Sequence, residues 1–321
     1  MRVNVKKTIG LEDTVNDRGL IPWLLAACTP SIRYLTLRRL LGRPEEDAEV
    51  RAARQEMAAS GPIPALLARQ TERGNWAHER SYYSPKYTST HWSMLLLTEL
   101  AADPADARLR RGAEFMLADT EARLREGGHG WVCFWGNLLR YARYCGFGDD
   151  PRVARLTDRV VSDATEAGWR CRYNDELPCA WGAARALWGL AAAPAQRRSP
   201  AIAAAIASGL DLLLADDRLV RADYPTPGKV HDIWRHVNFP LFYQADIPFV
   251  LRVAAELDAL DQPGARSALN WLAARRRTGG ATPGTWLGAS PFRTPRGLWD
   301  HAEVDRWVTL QAAMIENGVP A

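Results

Sequence analysis

The sequence predicts an all-α fold, a closed ring of repeated helical hairpins, and three observations carry that prediction. Six segments are apolar around most of a helical circumference: 28–42, 87–103, 132–150, 177–194, 243–261 and 303–318. A helix of that kind packs against neighbours on both sides. Between them lie helices with one polar face, joined by Asp-, Pro- and Gly-rich turns. Sustained two-residue alternation, the mark of a half-buried strand, is absent, which argues against a sheet.

Taken in order, the first apolar segment, CTPSIRYLTLRRLLG, opens at Thr29-Pro30, a good helix start. The second, YTSTHWSMLLLTELAAD, opens among Thr and Ser residues. The stretch 104–124 follows as its polar-faced partner. The third segment, 132–150, pairs in the same way with 150–168, and the fourth, 177–194, with 199–216. The fifth, YQADIPFVLRVAAELDALD, pairs with 262–276. Asp150 and Ser199, each followed by Pro, are capping signals for the outer helices. The unit recurs about every 45 to 60 residues, the range of helical arrays. The last apolar segment, 303–318, has no outer partner after it. An open array needs polar caps at its ends, so the N-terminal segment is expected to supply that partner and close the ring. One domain is expected over 1–321, with 1–20 as an N-terminal extension. The longest irregular stretch, Leu219 to Asn238, is rich in Pro, Gly, Asp and His, and loops of that length in compact domains are often functional.

The bulk numbers narrow the function. The net charge of +4 is small, and the basic residues are scattered apart from Arg275, Arg276 and Arg277, so nucleic-acid binding is not supported. No stretch reaches the ~18 uninterrupted apolar residues of a transmembrane segment. The N-terminus lacks the apolar core of a signal peptide. Five cysteines without a dense framework fit a reducing compartment, and a cytoplasmic location is expected. Thirteen tryptophans are many for this length; each buried indole N–H needs a partner, which implies a regular packing role, a ligand cavity, or both.

Gln70, Gly74 and Trp76, in the run QTERGNW, resemble the Q-x(n)-G-x-W repeat of the terpenoid cyclase and protein prenyltransferase superfamily. Later loops repeat the Gly-Trp part at Gly130-Trp131, Gly168-Trp169 and Gly284/Trp286 without the Gln. Taken singly, each Gly and Trp reads as a helix stop and a packed loop. The resemblance spans roughly residues 20–318 and rests on the recurrence of the motif. It implies an (α/α)6 toroid with inner-helix N-termini at one mouth and a cavity lined by aromatic side chains. It also implies a mostly apolar ligand of the isoprenoid kind. The DxDD and DDxxD motifs of the cyclases are absent; Asp149-Asp150 and Asp216-Asp217 lack the upstream Asp. The resemblance therefore implies the architecture and the apolar cavity rather than standard terpene cyclisation.

Several residues are candidates for chemistry. Asp246 starts the fifth inner helix, near the place of the cyclase aspartates, and is the first acid to consider; an N-cap role is the alternative. Asp175 and Glu176 precede Cys179 as acid–base candidates or as solvated loop charges. Cys133 and Cys179 begin two copies of C-x-W-G on consecutive inner helices, Cys171 lies just before the second, and His236 is in the long loop with His231. Cysteine and histidine from neighbouring elements bind zinc, and the prenyltransferases and similarly shaped lanthionine-forming cyclases hold zinc with such ligands. Against this, free cysteine is often a small buried residue. Tyr87, His91, Trp92, Trp135, Trp181 and Trp307 fall near inner-helix starts and are expected to line the cavity. The run Ser81 to Tyr87, with Lys86, is expected at its mouth.

Three functions remain open from the sequence. One is a terpenoid-cyclase-like protein that binds an apolar small molecule and transforms it by acid–base chemistry, as a lyase or isomerase. The second is a zinc-dependent toroid acting on thiols or peptides. The third is a helical-repeat binding module without catalysis.

Overall fold

Helices account for nearly all the regular structure in the computed structural model, which describes residues 17–77, 82–125, 131–224, 231–279, 282–291 and 301–319. Residues 1–16 of the expected N-terminal extension lie outside the described residues. The elements run α1 (Asp17–Leu25), α2 (Pro30–Leu35), which continues into a π turn (Thr36–Leu40), α3 (Ala48–Ala59), α4 (Pro62–Leu67) and α5 (Thr90–Glu99). Then follow α6 (Ala107–Arg125), α7 (Val132–Tyr144), α8 (Pro151–Thr165), β1 (Arg170–Cys171), β2 (Leu177–Pro178), α9 (Ala180–Ala191), α10 (Pro200–Leu214) and α11 (Arg218–Arg221). The chain ends with β3 (Val237–Asn238), α12 (Ile247–Glu256), α13 (Pro263–Ala273), β4 (Gly288–Ala289) and α14 (His301–Glu316). The strands are two-residue pairs, β1 antiparallel to β2 and β3 parallel to β4. They fasten loops and do not form a layer.

Capping chemistry sets many helix starts. Asp47 accepts from the backbone N–H groups of Glu49 and Val50, Asp150 from Arg152 and Ser199 from Ile202. Pro151 and Pro200 occupy first-turn positions, where a missing N–H costs nothing. Helices α3 and α8 bury single faces: Val50, Ala53 and Met57 on one, Val153, Leu156, Thr157 and Val160 on the other. That is the three-to-four spacing of a helix with one face in water. By contrast α5 buries every residue from Thr90 to Thr98, and α12 every residue from Ile247 to Ala254. The all-round apolar segments are thus the inner helices, packed α5 on α7, α7 on α9, α9 on α12 and α12 on α14.

Two features join distant parts of the chain. Glu303 of α14 accepts from Cys28 N–H at 3.1 Å and Thr29 N–H at 2.7 Å, at the start of α2. Arg306 donates to the Ala26 carbonyl at 2.6 Å. A carboxylate here satisfies free N–H groups and meets the positive end of the helix. In the interior, Arg252 of α12 pairs with Glu99 of α5 at 2.6 and 2.8 Å. Arg140 of α7 pairs with Glu256 of α12, one of its contacts being 3.1 Å. Around them lies a small cavity of about 90 Å³, lined by Leu35, Thr98, Arg140, Trp188, Arg252 and Gln311 among others. Side chains of α2, α5, α7, α9, α12 and α14 therefore reach one interior point.

Two of the Gly-Trp loops, at Trp76 and Trp286, share a structural job. Trp76 donates its indole N–H to the Leu66 carbonyl, and Trp286 donates to Leu272, each a residue of the preceding outer helix. Both backbone N–H groups donate to a threonine hydroxyl of an inner helix, Thr90 and Thr309. Gln70 bridges the Gly74 and Arg108 carbonyls. Gly74 has a φ of +93°, and a Cβ there would strike the Arg111 backbone.

Helices α7 and α9 approach most closely at Gly136 and Gly189. A Cβ on Gly136 would collide with the Arg185 carbonyl, and one on Gly189 with the Gly136 carbonyl. Gly182, the other glycine of the C-x-W-G pair, has only ordinary contacts around an added Cβ, the nearest at 3.4 Å. Gly136→Ala is expected to cost about 1–3 kcal/mol or more through overpacking, whereas Gly182→Ala should be neutral or stabilising by up to about 1 kcal/mol. Urea unfolding of the two variants checks this; equal midpoints would contradict the close crossing.

Candidate functional site

The start of each inner helix leaves free N–H groups pointing along its axis. Above the starts of α5, α7 and α9 lies a cavity of about 390 Å³. That is within the usual range for small-molecule sites. The loop before α5 contributes Tyr83 and Lys86, α5 His91, and α7 Cys133 and Phe134 beside Trp131. The β1–β2 hairpin contributes Cys171, Tyr173 and Asn174, α9 Trp181 with its N-cap Cys179, and the loop before α12 Tyr243.

The aromatic wall is continuous. Tyr83 stacks on Trp131 at 6.0 Å and meets Trp92 edge-on at 4.7 Å. Tyr173 stacks on the other side of Trp131 at 6.2 Å. The Lys86 ammonium sits 5.1 Å from the centre of Tyr243 and 5.8 Å from that of Tyr83. This places a cation against two ring faces at the mouth. Burial raises the Tyr83 phenol and pushes Tyr243 up to about 12, so both stay protonated donors. Trp131 has a φ of +60°, a left-handed conformation rare for a bulky side chain.

Two buried ring nitrogens at this site have no partner among the described residues: Nε2 of His91 and Nε1 of Trp181. His91 is fully buried; its Nδ1 bonds the Tyr141 hydroxyl at 3.2 Å, and its ring lies 4.5 Å from Phe134. Burial, helped by the nearby Arg185 charge, lowers its pKa to about 3, so the imidazole is neutral. An unmade hydrogen bond on a buried polar atom is costly. A ligand group that bonded these nitrogens would remove that cost.

The three cavity cysteines differ. Hydrogen bonding from Cys179 is the largest influence lowering the Cys171 pKa; burial opposes it, and the N–H groups of Tyr173 and Trp131 lower it further. Cys179 is raised by the same bond and by burial. Its sulfur accepts the Gly182 N–H at 3.4 Å as the cap of α9. Burial pushes Cys133 up to about 12.

The structure brings together part of the expected set. His91, Trp181, Cys133, Cys171 and Cys179 line the cavity. Tyr87 and Trp92 form a layer beside it, each packed on Phe242. The Trp92 indole donates to the Tyr83 carbonyl at 2.7 Å. Trp135 instead packs edge-on against Phe134, under Arg159. Trp307 stacks on Phe239 at 4.4 Å and lines the small cavity. The two C-x-W-G copies are out of step: Cys133 is the second residue of α7, while Cys179 caps α9. A two-residue offset turns the tryptophans to different neighbours, since a helix has 3.6 residues per turn.

The carboxylates do not reach the cavity. Asp246 is buried as the cap of α12; one oxygen accepts from Phe249 N–H at 2.8 Å, the other from the backbone and side chain of Asn238 at 2.8 and 2.9 Å. Burial raises its pKa to about 6 against the pull of those donors. Asp175 and Glu176 are exposed at the tip of the β1–β2 hairpin, both left-handed at φ of +50° and +58°. They turn the chain. The four zinc candidates are not all at the cavity. His236 is exposed, with Nδ1 3.0 Å from the Asp232 carbonyl, and is not a cavity residue. Among the described residues no group of three or more His, Cys, Asp or Glu is arranged to hold a metal ion. Cys133, Cys171 and Cys179 line the cavity together, and His236, carried to the surface by its loop, does not join them.

Trp131, Phe134, Tyr173, Asn174 and Tyr243 complete the cavity without having been singled out for it. Tyr173, two residues after Cys171, is 69% exposed, an unusual place for a large ring. Ser81 lies outside the described residues.

No protein-family model matches the chain, and no curated protein matches it. A solved structure of a protein from Actinoplanes is similar at 17% identity, over 93% of this chain and 88% of that one, with a TM-score of 0.39. A likeness of that size assigns neither fold nor function. Among the described residues no helix is long and apolar enough to cross a membrane.

The His91 environment has a pH signature. The folded state binds fewer protons than the unfolded chain between the folded value of about 3 and the ordinary value of about 6.5. The stability it confers is complete above about 6.5 and is lost as pH falls toward 3. His91→Gln should flatten that part of the stability curve. Urea midpoints of both proteins across this window check it; parallel curves would contradict it.

Proposed function

We propose that the chain is a closed (α/α)6 toroid, similar in plan to the terpenoid cyclase and prenyltransferase rings, whose mouth cavity binds a mostly apolar small molecule of the isoprenoid kind. The convergence of six helices on one interior point and the bonds from α14 to residues 26–29 support closure. The observation that carries the ligand is the aromatic cavity with two unpaired ring nitrogens, His91 Nε2 and Trp181 Nε1. Aromatic walls take the apolar body, and the two nitrogens fix one polar end.

The binding reading is favoured over acid-driven cyclisation because the buried candidate acid, Asp246, spends its lone pairs on Phe249 and Asn238. The reactive groups that do line the cavity are thiols.

Farnesol, with an isoprenoid chain and a single hydroxyl, is a suitable probe, and dodecanol a control for apolarity alone. Saturable quenching of tryptophan fluorescence by farnesol is expected. Trp181→Leu and His91→Phe should each weaken it by about tenfold, near 1.4 kcal/mol, the size of a lost hydrogen bond. Absence of saturable quenching by either alcohol would contradict the ligand class. Equal affinity for both would remove the isoprenoid preference.

A further inference from the structure

We propose that Cys171 and Cys179 form a dithiol exchange centre that reduces a small apolar disulfide held in the mouth cavity. The proposal rests on the reading of that cavity as a small-molecule site.

Three observations carry it. The two cysteines sit side by side on one face of the β1–β2 hairpin and both line the cavity. Their surroundings differ in effect: Cys179 and the backbone N–H groups of Tyr173 and Trp131 lower the Cys171 thiol, while Cys171 and burial raise that of Cys179. A pair made of one stabilised sulfur and one protonated neighbour supplies an attacking and a resolving thiol. Lastly, the hairpin sets their spacing. Arg170 pairs with Pro178 and Cys171 with Leu177, so Cys171 and Cys179 are diagonal neighbours. Diagonal positions stand about 7–8 Å apart between Cα atoms, at or beyond the usual reach of a disulfide. A bond formed there is strained and readily reduced, which suits exchange and not a permanent staple.

The chemistry balances. The Cys171 thiolate attacks one sulfur of R–S–S–R; the S–S bond breaks, and the departing RS⁻ takes a proton from water. Cys179 then loses its proton and attacks the Cys171 sulfur of the mixed disulfide. A Cys171–Cys179 disulfide forms and the second RS⁻ leaves as RSH. Two electrons pass from the protein thiols to the substrate disulfide. A second small-molecule thiol reverses both steps and restores the dithiol.

The test uses 4,4′-dithiodipyridine, a neutral aromatic disulfide, on the full chain, with Cys171→Ser and Cys179→Ser for comparison. Released thiopyridone is followed by absorbance, and the products are mapped by peptide mass spectrometry. Wild type should release two thiopyridones in a fast phase and yield the Cys171–Cys179 disulfide. Cys179→Ser should stop after one, with the mixed disulfide on Cys171, and Cys171→Ser should lose the fast phase. A wild-type map with the mixed disulfide held at Cys171 and Cys179 still free overturns the proposal. So does a first reaction at exposed Cys28 or at Cys133, or a Cys133–Cys171 bond. The wild-type map decides the matter even where a serine variant does not fold. Disulfide formation in protein that binds no farnesol would support the thiol pair and set aside the isoprenoid ligand, so the two readings fail separately.

Discussion

A carboxylate and a guanidinium meet in the interior of this protein, and the arrangement of the helices depends on their meeting. Glu99 ends α5, Arg252 stands midway along α12, and neither helix lies next to the other in the order of inner-helix packing. Burial alone would raise the Glu99 pKa, but Arg252, with Arg185 and Arg140 behind it, offsets that and holds the carboxyl below its ordinary value. Around the pair the interior is filled by stacked arginines and rings. The Arg185 guanidinium lies 3.8 Å from the centre of Phe249, Arg252 5.1 Å from the same ring, and Arg140 4.9 Å from that of Trp188. Arg185 also donates twice to the Gln244 carbonyl. Charges so deep are costly unless paired and hydrogen-bonded. Each helix must therefore arrive with its charged residue in register.

That filling explains why the useful space is at one end. Toward the C-terminal ends of the inner helices the interior holds the ion pairs and a void of about 90 Å³. Toward their N-terminal ends the helices leave about 390 Å³, and the loops before them furnish its walls. Asp246 belongs to the same scheme. Its three bonds fix the start of α12, and so carry Tyr243 to the cavity and Arg252 to Glu99. A residue that reads as catalytic by position works here as a brace.

The helices were legible because their periodicity is a direct consequence of burial. A segment such as THWSMLLLTE is apolar all round because α5 is covered all round. The Gly-Trp loops were legible too, although at Trp76 and Trp286 their job is to lock an indole onto the preceding helix. What the sequence hid was the interior charge. Arg185, Arg252 and Glu99 occupy otherwise apolar helices, where a charged side chain reads as the exposed edge; only the partner across the interior reveals it as buried. The cysteines were found through the repeated C-x-W-G, yet the two copies start at different points of their helices, so Trp135 and Trp181 part company. The β1–β2 hairpin was invisible because two-residue strands leave no alternation to detect. Without it, Cys171 could not be set beside Cys179, and His236 could be imagined where Tyr173 and Asn174 lie.

A double-mutant cycle on Glu99 and Arg252 tests the central claim most directly. Glu99→Leu, Arg252→Met and the double variant would be compared by urea unfolding. Either single change strands a buried charge and is predicted to cost about 3–5 kcal/mol, while the double variant should cost several kcal/mol less than the sum of the two. Losses that simply add would mean that the two side chains do not meet, and the account of the interior would be contradicted.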